Sequence, residues 1–439
     1  MKKTIIEPVF NFLSGESTFL LSQGKATVCI QGKTYSGDVE VSLELLPRAD
    51  VYLYGVFPHN APFVSLEEIT SFCFNGRSVD GFAVEVKRGF EPAKLYIRWC
   101  PKQESINCIG DDSAQMSRVI FHVFNFVEFF GMKRSFETRG DTSNSIEYIE
   151  LTADNWQFEL RSLFETQENF KKLKASGGYC LTHIGCLQKS DATAFSGKEA
   201  GERLEALRFF LSFAKGGWCE PVCAVGFDKD NNSVWESWSS PHEPWHEPPS
   251  WFDKHNSTQL SSLFSGFMGR WSDSDWREAL HEVIYWYLNA NYSSRGIDAG
   301  IILTQAAIER LSYEFSVKHK RLLTGNGSKD LLASDKFRLL FSSLQIPIAL
   351  PNETPELQKL AKQRNWIDAP HALTKIRNSL VHPEHKQRGK LYSAYYEAWN
   401  LGLWYLEMGI LAICGYSGTY GNRLKQRSVG EVEKVPWES

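Results

Sequence analysis

The chain has 439 residues, 42% of them hydrophobic and 13% aromatic, and carries a formal net charge of −4. That length suits two or three domains at ~100–200 residues each, and the apolar content excludes a generally disordered chain. The slight net acidity excludes a uniformly basic nucleic-acid coat, although residues 257–439 hold 22 Lys+Arg against 18 Asp+Glu while the rest is acidic.

The opening segment MKKTIIEPVFNF has two lysines, but Glu7, Pro8 and Asn11 interrupt its apolar run, so it makes a poor signal peptide. Strand-like patterns follow. In DVEVSLEL, Val39, Val41, Leu43 and Leu45 alternate with polar residues and should share one face. VYLYGVF and KLYIRW are β-branched and aromatic, separated by turn sequences such as FNGRS. A helix then interrupts the strands: SGKEAGERLEALRFFLSFA opens with Ser196 and Glu199 at capping-box spacing and places Leu204, Leu207 and Leu211 at helical intervals. Further strands, EPVCAVGFD and SVWESW, flank the turn KDNN. Residues 1–240 therefore read as a β-rich, α+β sensor or regulatory region, with a division into two lobes expected near residue 110.

SSPHEPWHEPPSW is dense in proline and tryptophan, and residues 241–256 are expected to form a linker. From residue 257 to 439 the period is helical throughout, and strands followed by helices imply an α+β multidomain protein. Within the linker, His242 and His246 satisfy H-E-x-x-H, but Pro244, Pro248 and Pro249 forbid the helix that would bring both rings to one zinc ion. GYSGTYG has Thr419 where a nucleophile elbow needs glycine, and GNGSK lacks P-loop spacing. The nine cysteines show no CxxC pair and read as reduced core residues, which points to a cytoplasmic protein. The apolar stretch from Leu401 to Tyr416 is broken by Glu407 and falls short of the ~18–20 residues a membrane span needs. No metal site, cofactor site or membrane contact is expected.

KIRNSLVHPEH carries the strongest chemical signal. Asp368 is placed to cap a helix that Pro370 tolerates in its first turn and Pro383 ends at His382. Ala372, Leu373, Ile376 and Leu380 should face the core, leaving Arg377, Asn378 and His382 together at the last turn. Cations at a helix C-terminus are themselves stabilised by ~0.3–1 kcal/mol, so the pattern alone leaves open a purely structural cationic end. IRNSLVHP resembles the R-x4–6-H motif of HEPN domains, a helical nucleotide-binding family, with Arg377 and His382 at the two fixed positions and Asn378 at the polar position after the arginine. ILTQAAIERLSYEF resembles the preceding HEPN helix, with Glu309 at its acidic position, and GYSGTYGNR resembles the C-terminal end of ApeA-like HEPN proteins, which act in bacterial anti-phage defence. The likeness spans roughly residues 275–425.

That resemblance implies a HEPN-type helical bundle and a metal-independent endoribonuclease, acting in abortive infection under control of the N-terminal region. It also implies a homodimer through the helical domain, with RNA (tRNA among the candidates) as substrate and a phage-derived trigger. Arg377 and His382 would be catalytic, and Asn378 and Glu309 supporting. Glu309 would hold Arg377 by an ion pair. Lys386, Arg388, Lys390 and Arg423, in the basic runs KQRGK and RLKQR, are candidate RNA contacts. The competing expectation is a non-catalytic HEPN module that binds RNA, nucleotide or a partner protein.

Overall fold

The computed structural model describes residues 6–12, 15–58, 65–90, 93–102, 105–130, 133–139, 142–292, 296–382 and 391–438. The first seven strands are β1 (Thr18–Ile30), β2 (Lys33–Glu44), β3 (Asp50–Pro58), β4 (Ile69–Phe74), β5 (Arg77–Ser78), β6 (Gly81–Phe90) and β7 (Ala93–Pro101). They form one antiparallel sheet in the order β5-β4-β1-β2-β3-β7-β6. The alternation predicted for residues 38–45 holds, since Val39, Val41, Leu43 and Leu45 are all buried.

Ten more strands follow: β8 (Ser105–Ile109), β9 (Gln115–Met116), β10 (Arg118–Phe124), β11 (Lys133–Arg139), β12 (Thr142–Ala153), β13 (Trp156–Ser162), β14 (Leu181–Lys189), β15 (Phe195–Ser196), β16 (Pro221–Phe227) and β17 (Ser233–Ser239). Eight of them build a second antiparallel sheet, β11-β12-β13-β14-β10-β16-β17-β8. The chain changes sheets between Pro101 and Ser105. Phe124, Leu181, Val222 and Trp238 of the second sheet join the core of the first.

Two helices belong to this region, α1 (Thr166–Ser176) and α2 (Gly197–Lys215). The capping box on α2 forms as its spacing predicts, with the Ser196 hydroxyl accepting from the Glu199 N–H and the Glu199 carboxylate accepting from the Ser196 N–H. Gly216 closes the helix in the left-handed region, at φ 78°. From Ala206 onward almost every α2 residue is buried, because the helix lies between the second sheet and the helical region.

That region comprises α3 (Thr258–Ser272), α4 (Ser274–Asn291), α5 (Ile297–Tyr313), α6 (Gly325–Asp330), α7 (Ala333–Ser343), α8 (Pro355–Arg364), α9 (Ala369–Val381) and α10 (Tyr395–Ile413). A π-helical turn, Glu314–His319, extends α5. The fold is thus α+β, a β-rich first half followed by helices. Helices α5 and α10 approach closely at Gly402, where a Cβ would lie 2.7 Å from the Thr304 hydroxyl.

The helical region does not have a core of its own. One continuous hydrophobic core runs from Val119 in the second sheet through α2 to Val435. Phe264 of α3 meets Phe158 of β13 edge-on at 5.3 Å and Phe210 of α2 at 5.0 Å. The segment expected to act as a linker is part of this core. Trp251 is fully buried, stacks on Phe213 at 5.5 Å and donates its indole N–H to the Phe213 carbonyl. Its proline-rich chain is irregular, and its aromatics make it a seam between sheet and helices.

Candidate functional site

Helix α9 forms as the sequence dictates. The Asp368 carboxylate accepts from the His371 N–H at 2.9 Å, and Pro370 occupies the first turn, where no backbone donor is missed. His382 is the C-cap, in extended conformation (φ −104°, ψ 113°), and its N–H donates to the Asn378 carbonyl at 3.1 Å. Ala372, Leu373 and Ile376 are buried, and Leu380 packs at the edge of the core.

Two contacts hold the helix, and a third braces α7, on which it packs. Arg338 of α7 grips the Asp368 carboxylate through Nε at 2.6 Å and Nη2 at 3.1 Å. The buried Gln305 of α5 donates to the Leu373 carbonyl at 2.6 Å. Tyr405 of α10 stacks on Phe341 of α7 at 4.1 Å and donates to the Pro347 carbonyl. The last turn of α9 therefore stands on a rigid support.

At that turn Arg377 and Asn378 are half-buried and His382 is exposed. Arg377 Nη1 donates to Asn378 Oδ1 at 3.3 Å, and among the described residues no carboxylate neutralises this guanidinium. Glu309, expected to pair with it, instead meets Lys336 at 3.3 Å on the exposed side of α5. The reason is geometric. Helical spacing turns Glu309 outward toward α7, while the buried face of α5 carries Thr304, Gln305, Ile308 and Leu311. The nearby acid that does hold an arginine is Glu314, at the start of the π-helical turn, which takes Arg310 of α5 at 2.7 Å.

Lys386, Arg388 and Lys390 lie outside the described residues. Arg423 is described, and it cannot contact RNA from where it sits. Its side chain and that of Glu407 are both fully buried, joined at 2.6 Å and 3.0 Å. Arg423 also donates to the Pro249 carbonyl at 2.7 Å and to Asn291 Oδ1 at 3.2 Å, and Tyr287 donates to Glu407 at 2.6 Å. Glu407, which interrupts the apolar run of α10, is the signal in the sequence that a buried cation must exist. The neighbouring Lys425 and Arg427 are likewise spent on Glu433 and Asp253. A further basic run, Lys318 to Arg321, is exposed.

His242 and His246 lie on irregular chain, and the His246 ring approaches Glu243 at 3.5 Å. Burial lowers the His246 pKa to about 4. All nine cysteines are free thiols, six of them buried, and burial pushes Cys219 up to about 12. Among the described residues no helix is long and apolar enough to cross a membrane.

A concavity lies elsewhere, between the first sheet and α2. It has a volume of about 1290 Å³ and is bordered by Asp50, Tyr52, Gly201, Arg208, Glu220 and Trp235, among others.

No solved structure matches this chain. Residues 111–248 match the YopA central domain and residues 273–434 the YopA C-terminal domain. The chain is 30% identical over 336 residues to the SPbeta prophage-derived uncharacterized protein YopA of Bacillus subtilis (strain 168), an alignment covering 74% of this chain and 73% of that protein. The chain belongs to the YopA family.

Proposed function

We propose that the helical region is a metal-independent endoribonuclease of HEPN type, with Arg377 and His382 as its catalytic pair, restrained or triggered by the β-rich half in an anti-phage, abortive-infection role. The observation that carries the reading is the last turn of α9. An arginine without an acidic partner among the described residues touches Asn378, and an exposed histidine caps the same helix. Arginine stays charged and offers a planar fork to phosphate oxygens. Histidine exchanges protons near neutral pH, a role worth ~10²–10⁴ in rate.

Cleavage would run through the RNA's own 2′-hydroxyl. His382 takes its proton, the 2′-oxygen attacks phosphorus, and the P–O5′ bond breaks. The 5′-oxygen gains a proton, leaving a 2′,3′-cyclic phosphate and a free 5′-hydroxyl. Arg377 offsets charge on the phosphorane. A single histidine does not readily serve both proton transfers, so an isologous dimer that brings two α9 ends to one cleft supplies the second. The prophage origin of the Bacillus relative is in keeping with a phage-linked role.

The test is incubation of wild type and His382→Ala with total bacterial RNA and purified tRNA in excess EDTA, with the new ends mapped. Cleavage by wild type alone, leaving cyclic-phosphate ends, supports the proposal. Equal cleavage by both proteins removes His382 from the site. RNA bound tightly and cut by neither would make this a binding module.

A further inference from the structure

We propose that the segment Ile6–Phe12 is a displaceable strap, and that the groove it fills on the second sheet is a docking site for an extended, apolar segment of a partner protein. The proposal does not rest on the nuclease reading of α9.

The groove follows from the sequence of β10. From Val119 to Phe124 every residue is buried, so both faces of this strand must be covered. Val119, Phe121 and Val123 belong to the core shared with α2 and the helices. Ile120, His122 and Phe124 alternate with them and stand on the opposite face. There Ile120 clusters with Ile184 and Cys186 of β14, and Ile6, Leu163 and Phe227 pack on that cluster. Phe124 joins the core of the first sheet, against which Phe10 and Phe12 pack.

The strap sits in this groove as a ligand would. Ile6, Pro8, Phe10 and Phe12 are half-buried and Glu7, Val9 and Asn11 exposed, the period of an extended chain, yet the segment belongs to no helix or strand. Phe12 meets His122, Phe19 and Phe124 edge-on at 5.0, 5.2 and 5.3 Å, and Phe10 lies 5.6 Å from the His122 ring. Among the described residues, the strap's one hydrogen bond to the rest of the chain runs from the Val9 N–H to His122 Nε2, at 3.1 Å. Ordering a segment of this length offsets much of what one hydrogen bond and half-buried side chains contribute, so the strap should open more readily than the sheet beneath it.

His122 defines what can take its place. It is 0% exposed, and its Nδ1–H donates to the Cys223 carbonyl at 3.0 Å, which leaves Nε2 as an acceptor for the strap. A buried acceptor stripped of its donor is costly. The occupant must therefore bring a main-chain N–H flanked by apolar side chains at every second position. Ile120, Phe124, Ile184 and Cys186 offer no charge to a polyanion. A tethered strap competes at an effective concentration on the order of mM. It thus screens out weak apolar segments and yields to a partner that extends the same pattern.

The experiment has two parts. Native-state hydrogen exchange on the wild-type chain should show the Val9 amide exchanging more than about a hundredfold faster than the amides of β10, through local opening. A labelled peptide IEPVFNF, standing in for the partner segment, is then titrated by fluorescence anisotropy. The full-length double variant Phe10→Ser, Phe12→Ser should bind it about tenfold more tightly than wild type, as a strap closed ~90% of the time requires. His122→Phe added to that variant should weaken binding about three- to tenfold, the loss of one hydrogen bond. Val9 exchanging only with global unfolding would make the strap an integral part of the fold and overturn the proposal, whether or not the variants fold. So would equal binding by wild type and a folded double variant, or equal binding of a scrambled peptide. A wild-type dimer that the double variant cannot form would overturn the choice of occupant, since a second copy would then supply the segment.

Discussion

Replacing Arg423 with methionine would leave Glu407 in the core with only the Tyr287 hydroxyl as donor. The change removes two charge-assisted bonds to the carboxylate and one each to Pro249 and Asn291. With both side chains fully buried, loss of one partner costs ~3–5 kcal/mol. The shared core makes the second sheet and the helices one cooperative unit of roughly 330 residues, which at ~2.1 cal/mol/K per residue gives an unfolding entropy of about 0.7 kcal/mol/K. Arg423→Met should therefore lower the main thermal transition by about 4–7 °C. Glu407→Gln, which leaves a buried guanidinium unpaired, should cost a similar amount. The double substitution should recover at least half of the summed loss, because the glutamine still accepts from Tyr287 and no lone charge remains. Circular dichroism melts of the four proteins complete the cycle. Strict additivity, or a single-variant shift under 1 °C, would refute the view that this pair locks the Pro249 segment against α4 and α10.

Two further outcomes follow from the geometry. Arg377→Lys should keep the fold and lose at least tenfold in RNA cleavage, because an ammonium lacks the planar fork; a rate equal to wild type in the EDTA assay would mean that only charge is needed there. Acidification from pH 6.5 should weaken the fold through His122. Its Nε2 accepts the Val9 N–H at 3.1 Å and its Nδ1 meets the Cys223 carbonyl at 3.0 Å, a pattern that suits the neutral ring, and burial lowers its pKa to about 4. The unfolded state, titrating near 6.5, binds the proton first, so stability falls as pH drops between 6.5 and 4, by up to ~3 kcal/mol at about 1.4 kcal/mol per pH unit. His183, lowered to about 3 by burial, acts in the same direction. Glu220, raised to about 7 by burial, acts in the opposite one, since the folded state binds its proton first. Glu220→Gln should then steepen the loss, and an NMR titration of His122 with a midpoint near 6.5 would contradict the assignment.

The residues that sequence reasoning placed well are those whose role is local. The caps at Ser196 and Asp368, the end of α9 at His382 and the alternation through Val39 to Leu45 depend on spacings of two to four residues, which are written along the chain. What escaped depends on which distant residues meet. Arg423 looked like one more cation in RLKQR, and only the fold brings it to Glu407 and Pro249. Glu309 looked like the partner of Arg377 until the pitch of α5 carried it to Lys336. The tryptophans near residue 250 read as linker because of the prolines around them, yet irregular chain can be as buried as helix when its side chains are aromatic.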